Sequence, residues 1–303
     1  MLIWSINIKE KRVPQQEIGL PDSLLQPLIN AALQEDLGRR GDVTSQATVA
    51  ATHQATLHLV ARQTGVVAGL GLARLTFQTV SAQSVFQAQV ADGDAIEAGQ
   101  VLAVVSGPAQ ALLTAERTAL NFMTHLSGIA SQTAQIVAAI EPFGTVLTCT
   151  RKTIPGLRML QKYAVRMGGG RNHRMGLDDA ILIKDNHIAL AGGLAPALQA
   201  AKAYAGHLIP VEIEVDTLAQ LQQALAIGVD LVLLDNMSLA DMKTAVQLCA
   251  GKARTEASGG ITPEQAVAVA QTGVDFMAMG WLTHSSKALD IGFDVLDDGE
   301  EAK

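Results

Sequence analysis

From Thr145 onward the chain repeats one kind of unit, a short run of apolar residues followed by a longer amphipathic run. The short runs are TVLTCTR, AILIKD, VEIEV, LVLLDN, RTEASGG and FMAMG. The amphipathic runs are PGLRMLQKYAVRM, LAPALQAAKAYA, TLAQLQQALAIG, SLADMKTAVQLCA and TPEQAVAVAQTG. Alternation of this sort makes successive strands parallel and the helices their crossovers. The six strand runs are fewer than the eight of a full barrel. A partial or distorted α/β barrel is expected, with an open doubly wound sheet as the second arrangement.

The first half of the chain follows a different plan. Residues 23–37 have the three- and four-residue spacing of an amphipathic helix, with Ser23 or Asp22 as its cap. GRRGDVTSQ reads as a loop. Between Ala55 and Gly107, short runs cut by glycine read as strands and hairpins, with a short helix over 70–80. The segment DGDAIEAGQVLAVVSG resembles the paired hairpins of biotin and lipoyl carriers. Those carriers need a lysine at a hairpin tip, and none occurs between Lys11 and Lys152, so a structural β-domain is expected instead. A long helix follows over 108–141, where Ser127–Gly128 could bend it.

The chemistry of the chain lies where charge interrupts the apolar strands. Arg151 and Lys152 follow VLTCT, Lys184 follows AILI, Glu214 lies in VEIEV and Asp235 follows LVLL. Glu256 and Ser258 close the fifth strand run and Gly280 the sixth. Each unit thus places a polar group near the C-terminal end of its strand, the rim on which barrels build active sites. Arg151, Lys152 and Lys184 fall early in the barrel, with Glu214 and Asp235 expected opposite them.

Charge points to a small anion as the ligand. The formal net charge is −7, yet the segment from Arg151 to His187 is +5 and the remainder −12. An acidic chain with one basic pocket is unsuited to nucleic acid, which needs a basic face. Cys149 and Cys249 form no CxxC pattern, so neither a disulfide framework nor a zinc site is expected. MLIWSINIKEKRVPQQ lacks the apolar core of a signal peptide, and no run is long enough to span a membrane. Cytoplasmic localisation is the expectation.

In SGGITPEQ, Gly259 and Gly260 allow close approach of backbone to a ligand, and Thr262 with Gln265 forms a capping box around Pro263. A strand end, two glycines and a helix start together offer N–H groups to an anion. Arg158, Lys162 and Arg166 recur every four residues opposite Leu157, Leu160, Ala164 and Met167, which reads as a solvated stripe. His53, His58 and His207 have no supporting neighbours. No GxSxG elbow and no HExxH or HxxxH spacing is present.

TRKTIPGLRMLQKYAV, GGGRNHRMGLDDAILIKDNH, VEIEVDT, LLDN, EASGGIT and GWLTHS together resemble the quinolinate phosphoribosyltransferase family. ERTALNFMTHLSGIAS and EDLGRRGDVTS upstream match it as well. The resemblance covers nearly the whole chain. It implies an N-terminal α/β sandwich over 1–117 and a C-terminal incomplete α/β barrel of the type II phosphoribosyltransferase kind over 118–286. The tail 287–303 would be able to pack back on the sandwich, and the terminal DDGEEAK is expected to be a disordered acidic segment.

By matching motif, Arg151, His173, Arg174 and Lys184 would bind the carboxylates of quinolinate. Lys152 would lie between quinolinate and 5-phosphoribosyl-1-pyrophosphate (PRPP). Arg117 would reach into the pocket of the other subunit of a homodimer. Glu214 and Asp235 would hold the ribose hydroxyls and Mg²⁺, the metal directly or through water. Ser258, Gly259, Gly260 and Gly280 would hold the 5-phosphate, with His284 nearby. Lys152, Glu214 and Asp235 would be the catalytic set, with no organic cofactor. Two departures stand out: Ile154 replaces a threonine common in the family, and Trp281 replaces a small residue and could narrow the phosphate side. Alternatives are a related phosphoribosyltransferase of molybdate-transport operons acting on another aromatic acid, and a non-catalytic sensor of pyridine acids.

Overall fold

The computed structural model describes residues 19–295. The expectations for the N-terminal MLIWSINIKEKRVPQQ and the acidic DDGEEAK lie outside the described residues.

The N-terminal layer opens with α1 (Asp22–Leu37) and α2 (Val43–Thr48). Strands β1 (Gln54–Ala61) and β2 (Gly65–Val66) precede α3 (Leu70–Val80), and β3 (Val85–Ala88), β4 (Ala95–Ile96) and β5 (Val101–Pro108) follow. Two local expectations change. The first helix starts at Asp22 itself after Pro21, with no side-chain cap bond. Asp22 pairs instead with Arg74 of α3 at 2.6 Å. GRRGDVTSQ is not all loop, because Asp42 accepts the Ser45 N–H at 2.9 Å and starts α2.

The long helix α4 (Ala109–Ile140) runs as one helix through Ser127–Gly128. Those small residues serve close packing. Ser127 Oγ accepts the Ala68 N–H at 3.0 Å, and Ser131 Oγ accepts the Val66 N–H at 2.8 Å. Position 117, the expected domain limit, falls inside this unbroken helix.

The second layer continues with β6 (Val146–Thr148), α5 (Arg158–Met167), β7 (Ile181–Ile183), α6 (Asp185–Leu190) and α7 (Leu194–Tyr204). Then come β8 (Val211–Val215), α8 (Leu218–Ile227), β9 (Leu231–Asp235), α9 (Leu239–Cys249) and β10 (Arg254–Ser258). The chain closes with α10 (Ala266–Ala270), β11 (Phe276–Ala278), α11 (Trp281–His284) and β12 (Ile291–Val295).

The sheets make the fold α/β in two layers. Strands β12, β1, β5 and β3 form an antiparallel sheet, with Leu59 opposite Phe293 in the β1–β12 register. The last described strand, β12, therefore returns to the N-terminal layer. Strands β6, β11, β10, β9, β8 and β7 form the parallel sheet in that order. Among the described residues no ladder closes β7 onto β6, so the barrel is incomplete, as the strand count implied. One apolar core fills the barrel and its helices, including Ile213, Val215, Val232, Leu234 and Met277. A second core, with Leu59, Phe77 and Leu102, lies between the antiparallel sheet and the helices α3 and α4. No helix of the described residues is long and apolar enough to cross a membrane.

The basic stripe of α5 differs from expectation. Lys162 is 0 % exposed, while Arg158 and Arg166 are half-buried. The helix is covered on two sides, by α4 and by the segment between α5 and β7, so its basic row does not face solvent.

Candidate active site

Each parallel strand delivers its polar group to one end of the sheet. A cavity of about 330 Å³ there is lined by Arg151, Lys152, His173, Arg174, Lys184, Asp235 and Ser258, among others. Of the other expected residues, Glu214 joins through Lys184, whose Nζ donates to Glu214 Oε2 at 2.6 Å. This pair corrects the expected separation of charges. Strands β7 and β8 are neighbours, so Lys184 sits beside Glu214 rather than across the barrel from it.

Gly280 joins through Lys152 and His284. A Cβ built there would lie 2.9 Å from Lys152 Cδ and 3.3 Å from His284 Nε2. Thr283 Oγ1 donates to the Lys152 carbonyl at 2.7 Å, tying the turn after β11 to the turn after β6. Gly259 and Gly260 follow β10 at φ +100° and +61°. The Thr262–Gln265 capping box forms, with Pro263 at the helix start. Arg117 does not line the cavity; it is exposed on α4.

The basic side is short of anions. Arg151 Nε is buried without a hydrogen-bond partner. Burial, and then the neighbouring charge of Arg151, lower the pKa of Arg174. One Arg174 N–H is spent on the Ala180 carbonyl at 3.1 Å. Two guanidinium groups this close are relieved by a ligand carrying carboxylates, to which they donate bidentately.

His173 has a different environment from the one expected. Its Nε2 lies 3.1 Å from Glu212 Oε2 and 3.6 Å from Glu256 Oε1. Its Nδ1 accepts the Arg174 backbone N–H at 2.7 Å. Burial alone would lower its pKa, but the Glu212 hydrogen bond and the two carboxylate charges outweigh burial and raise it. The Arg174 N–H, which needs the Nδ1 lone pair, favours the tautomer with hydrogen on Nε2. Both ring nitrogens are thus engaged within the protein, although the residue lines the cavity.

Several residues were not singled out from the sequence. Glu212 lies one pleat deeper than Glu214 on the same face of β8, and its Oε1 is buried without a partner. Burial, and then the charge of Glu212, push the Glu256 carboxyl up to about 7. The signal for Glu212 was in VEIEV, where it alternates with Glu214 inside an apolar strand, whereas Glu256 was visible in RTEASGG but not its depth. Asp216 was also missed; oxygens of Glu214, Asp216 and Asp235 lie within 4.8 Å of one another. So was Asn236, in the left-handed region at φ 52°, whose side chain donates to Asp235 at 2.7 Å.

An incomplete parallel barrel with arginines, lysines and acids at its strand ends, and glycine turns after its last two strands, defines an enzyme for a small polyanionic substrate. Residues 42–127 match the model of the quinolinate phosphoribosyl transferase N-terminal domain, and residues 129–294 that of the C-terminal domain. The chain belongs to the quinolinate phosphoribosyltransferase family.

The nicotinate-nucleotide pyrophosphorylase [carboxylating] of Mycobacterium leprae is 47% identical over 272 residues, covering 88% of this chain and 95% of that protein. A probable enzyme of the same description from Bacillus subtilis is 42% identical, over 89% of this chain and 93% of that one. The structure of NadC from Streptococcus pyogenes superposes with a TM-score of 0.87 at 42% identity, over 92% of this chain and 99% of that one. The nicotinate-nucleotide pyrophosphorylase from Francisella tularensis gives a TM-score of 0.88 at 40% identity, over 92% and 98%.

Proposed function

We propose that this chain converts quinolinate and PRPP to nicotinate mononucleotide, pyrophosphate and CO₂, a step of NAD biosynthesis. The observation that carries the choice of acceptor is the guanidinium pair, with Arg151 Nε unpartnered and Arg174 at its side. Such a pair suits an acceptor with two carboxylates better than one with a single carboxylate.

Arg151, Arg174 and Lys184 orient the pyridine ring so that its nitrogen faces C1 of the ribose. The C–N bond forms as pyrophosphate leaves, through a transition state with oxocarbenium character. The fixed carboxylates of Glu214 and Asp235 stabilise that positive charge. Lys152, held by Thr283 and beside Gly280, serves the departing pyrophosphate. Ser258, Gly259, Gly260 and Gly280 offer the 5-phosphate its donors, with His284 beside them. Once the nitrogen is alkylated the ring is a pyridinium. It takes up the electron pair released when the adjacent carboxylate leaves as CO₂, and a proton replaces it at that carbon.

Glu214 and Asp235, with Asp216 beside them, are hard oxygen donors close enough to hold Mg²⁺ directly or through water. The ion would neutralise phosphate charge there. We further propose a cytoplasmic homodimer in which Arg117 of each subunit completes the site of the other.

The test is a product assay with purified protein, quinolinate, PRPP and Mg²⁺, with nicotinate as the control acceptor. Nicotinate mononucleotide and CO₂ from quinolinate alone, lost on adding EDTA, are the expected result. Quinolinate binding without turnover would favour a sensor. Turnover of another aromatic acid in preference would favour the molybdate-linked relative.

A further inference from the structure

Lys162 lies in the middle of α5 and is 0 % exposed. Burying an amine is costly unless every donor is satisfied. Here all three N–H directions are used. Nζ donates to the His173 carbonyl at 2.9 Å, to the Arg174 carbonyl at 2.9 Å and to Cys149 Sγ at 3.2 Å. The two carbonyls belong to consecutive residues, both of which line the cavity. Cys149 stands at the end of β6, two residues before Arg151. A single amine therefore ties α5 to both segments that carry the guanidinium pair.

Arg158, one turn earlier, extends the same arrangement. Its Nε donates to Thr153 Oγ1 at 3.0 Å and its Nη1 to the Met175 carbonyl at 3.1 Å. The stretch 172–180 has no helix or strand of its own. Its carbonyls must therefore find partners in side chains or water. The carbonyls of residues 173, 174 and 175 all find them on α5. An apolar side chain would fill the space of Lys162 at less cost in desolvation, but it would leave those carbonyls unpaired.

We propose that Lys162, with Arg158 one turn before it, is a positioning residue of the dicarboxylate site. It fixes the backbone from which Arg174 reaches the substrate and does not touch the substrate itself. The proposal rests on the quinolinate reading given above. Because the two residues act on the acceptor side and not on the glycine turns, their loss should separate the two substrates.

The experiment is steady-state kinetics of the full chain carrying Lys162→Met, with each substrate varied in turn, beside thermal melting. The quinolinate KM is expected to rise about tenfold or more while the PRPP KM stays within about twofold. Lys162→Gln, which keeps two amide donors, is expected to recover part of the loss. An unchanged quinolinate KM, or both KM values rising together with a fall in melting temperature, overturns the proposal and leaves Lys162 a core residue only. Should Lys162→Met fail to fold, Arg158→Met takes its place. That side chain is half-buried, the same split is expected, and an unchanged quinolinate KM there is equally fatal. A wild-type protein that turns over no quinolinate removes both readings. An active wild type with unaffected variants removes only this one.

Discussion

Gly259 and Gly280 both follow strands on the side proposed for the 5-phosphate, yet their substitution should fail in different ways. Gly259 sits at φ +100°, and a Cβ there would run into the Asn236 side chain and its backbone nitrogen. Gly259→Ala is expected to cost about 1–3 kcal/mol in stability and also to lose PRPP binding. Gly280 has an ordinary φ of −66°, and the atoms nearest to its Cβ would be side-chain atoms, Lys152 Cδ, Thr150 Oγ1 and His284 Nε2. Gly280→Ala should leave the melting temperature almost unchanged and lower kcat/KM for PRPP by about tenfold, because it displaces Lys152. Urea denaturation beside kinetics separates the two, and equal stability losses would contradict the assignment.

Glu256 gives a pH signature. Burial, and then Glu212, raise its carboxyl from 4.5 to about 7, so over that window the folded chain holds a proton the unfolded chain has released. Stability from this group is full below about 4.5 and is lost as pH rises through about 7. Glu256→Gln mimics the protonated form at every pH. Melting curves should show wild type falling behind the variant between about pH 5 and about pH 8, and parallel profiles would refute the shift. The rim residues were legible because charge inside an apolar strand is anomalous. Glu212 and Glu256 were harder to place, since a period of two gives the face of a strand but not the depth along the barrel.

At the scale of elements, the parallel strands and their crossover helices could be read because each repeats the same burial environment. Strand β8 is buried along most of its length, as is β9. What could not be read was a helix with two different partners. Periodicity assigns α5 one apolar face and one wet face, whereas α5 packs on α4 and also serves the 173–175 carbonyls through its basic row. Short capped turns such as Asp42–Ser45 were missed for the opposite reason, being too brief to show a period.

Helix α4 allows a sharper test. A Cβ at Gly128 would collide with the Lys287 carbonyl and lie 3.0 Å from Ala288 Cα, both in the segment that carries the chain back toward β12. Alanine gains about 1 kcal/mol over glycine in helix propensity. Overpacking against backbone, which cannot swing aside, costs about 1–3 kcal/mol. Gly128→Ala should therefore destabilise the protein on balance, visible as a lower urea midpoint. A stabilised variant would mean that residues 287–288 do not pack there.

For the whole molecule, the question is whether one chain makes a complete site. Arg117 and Leu113 lie one turn apart on α4 and so share a face. Both are exposed, Leu113 at 39%, and neither lines the cavity of its own barrel. A family motif that points away from its own site is consistent with use by a second copy. If Arg117 acts in the neighbouring site, Arg117→Ala and Lys152→Ala should each be nearly inactive alone but complement each other when mixed. In a mixed dimer one barrel keeps its own Lys152 and receives an intact Arg117, while the other barrel carries both defects. Random exchange makes half of the dimers mixed, so activity should recover to about a quarter of wild type in a C2 dimer. If Arg117 acts within its own chain, or the protein is a monomer, every site in the mixture keeps one defect and no activity returns. Subunit exchange by mild denaturation and refolding, followed by the quinolinate assay and sedimentation, distinguishes the cases. No recovery from a mixture that sediments as exchanged dimers would rule out the shared site.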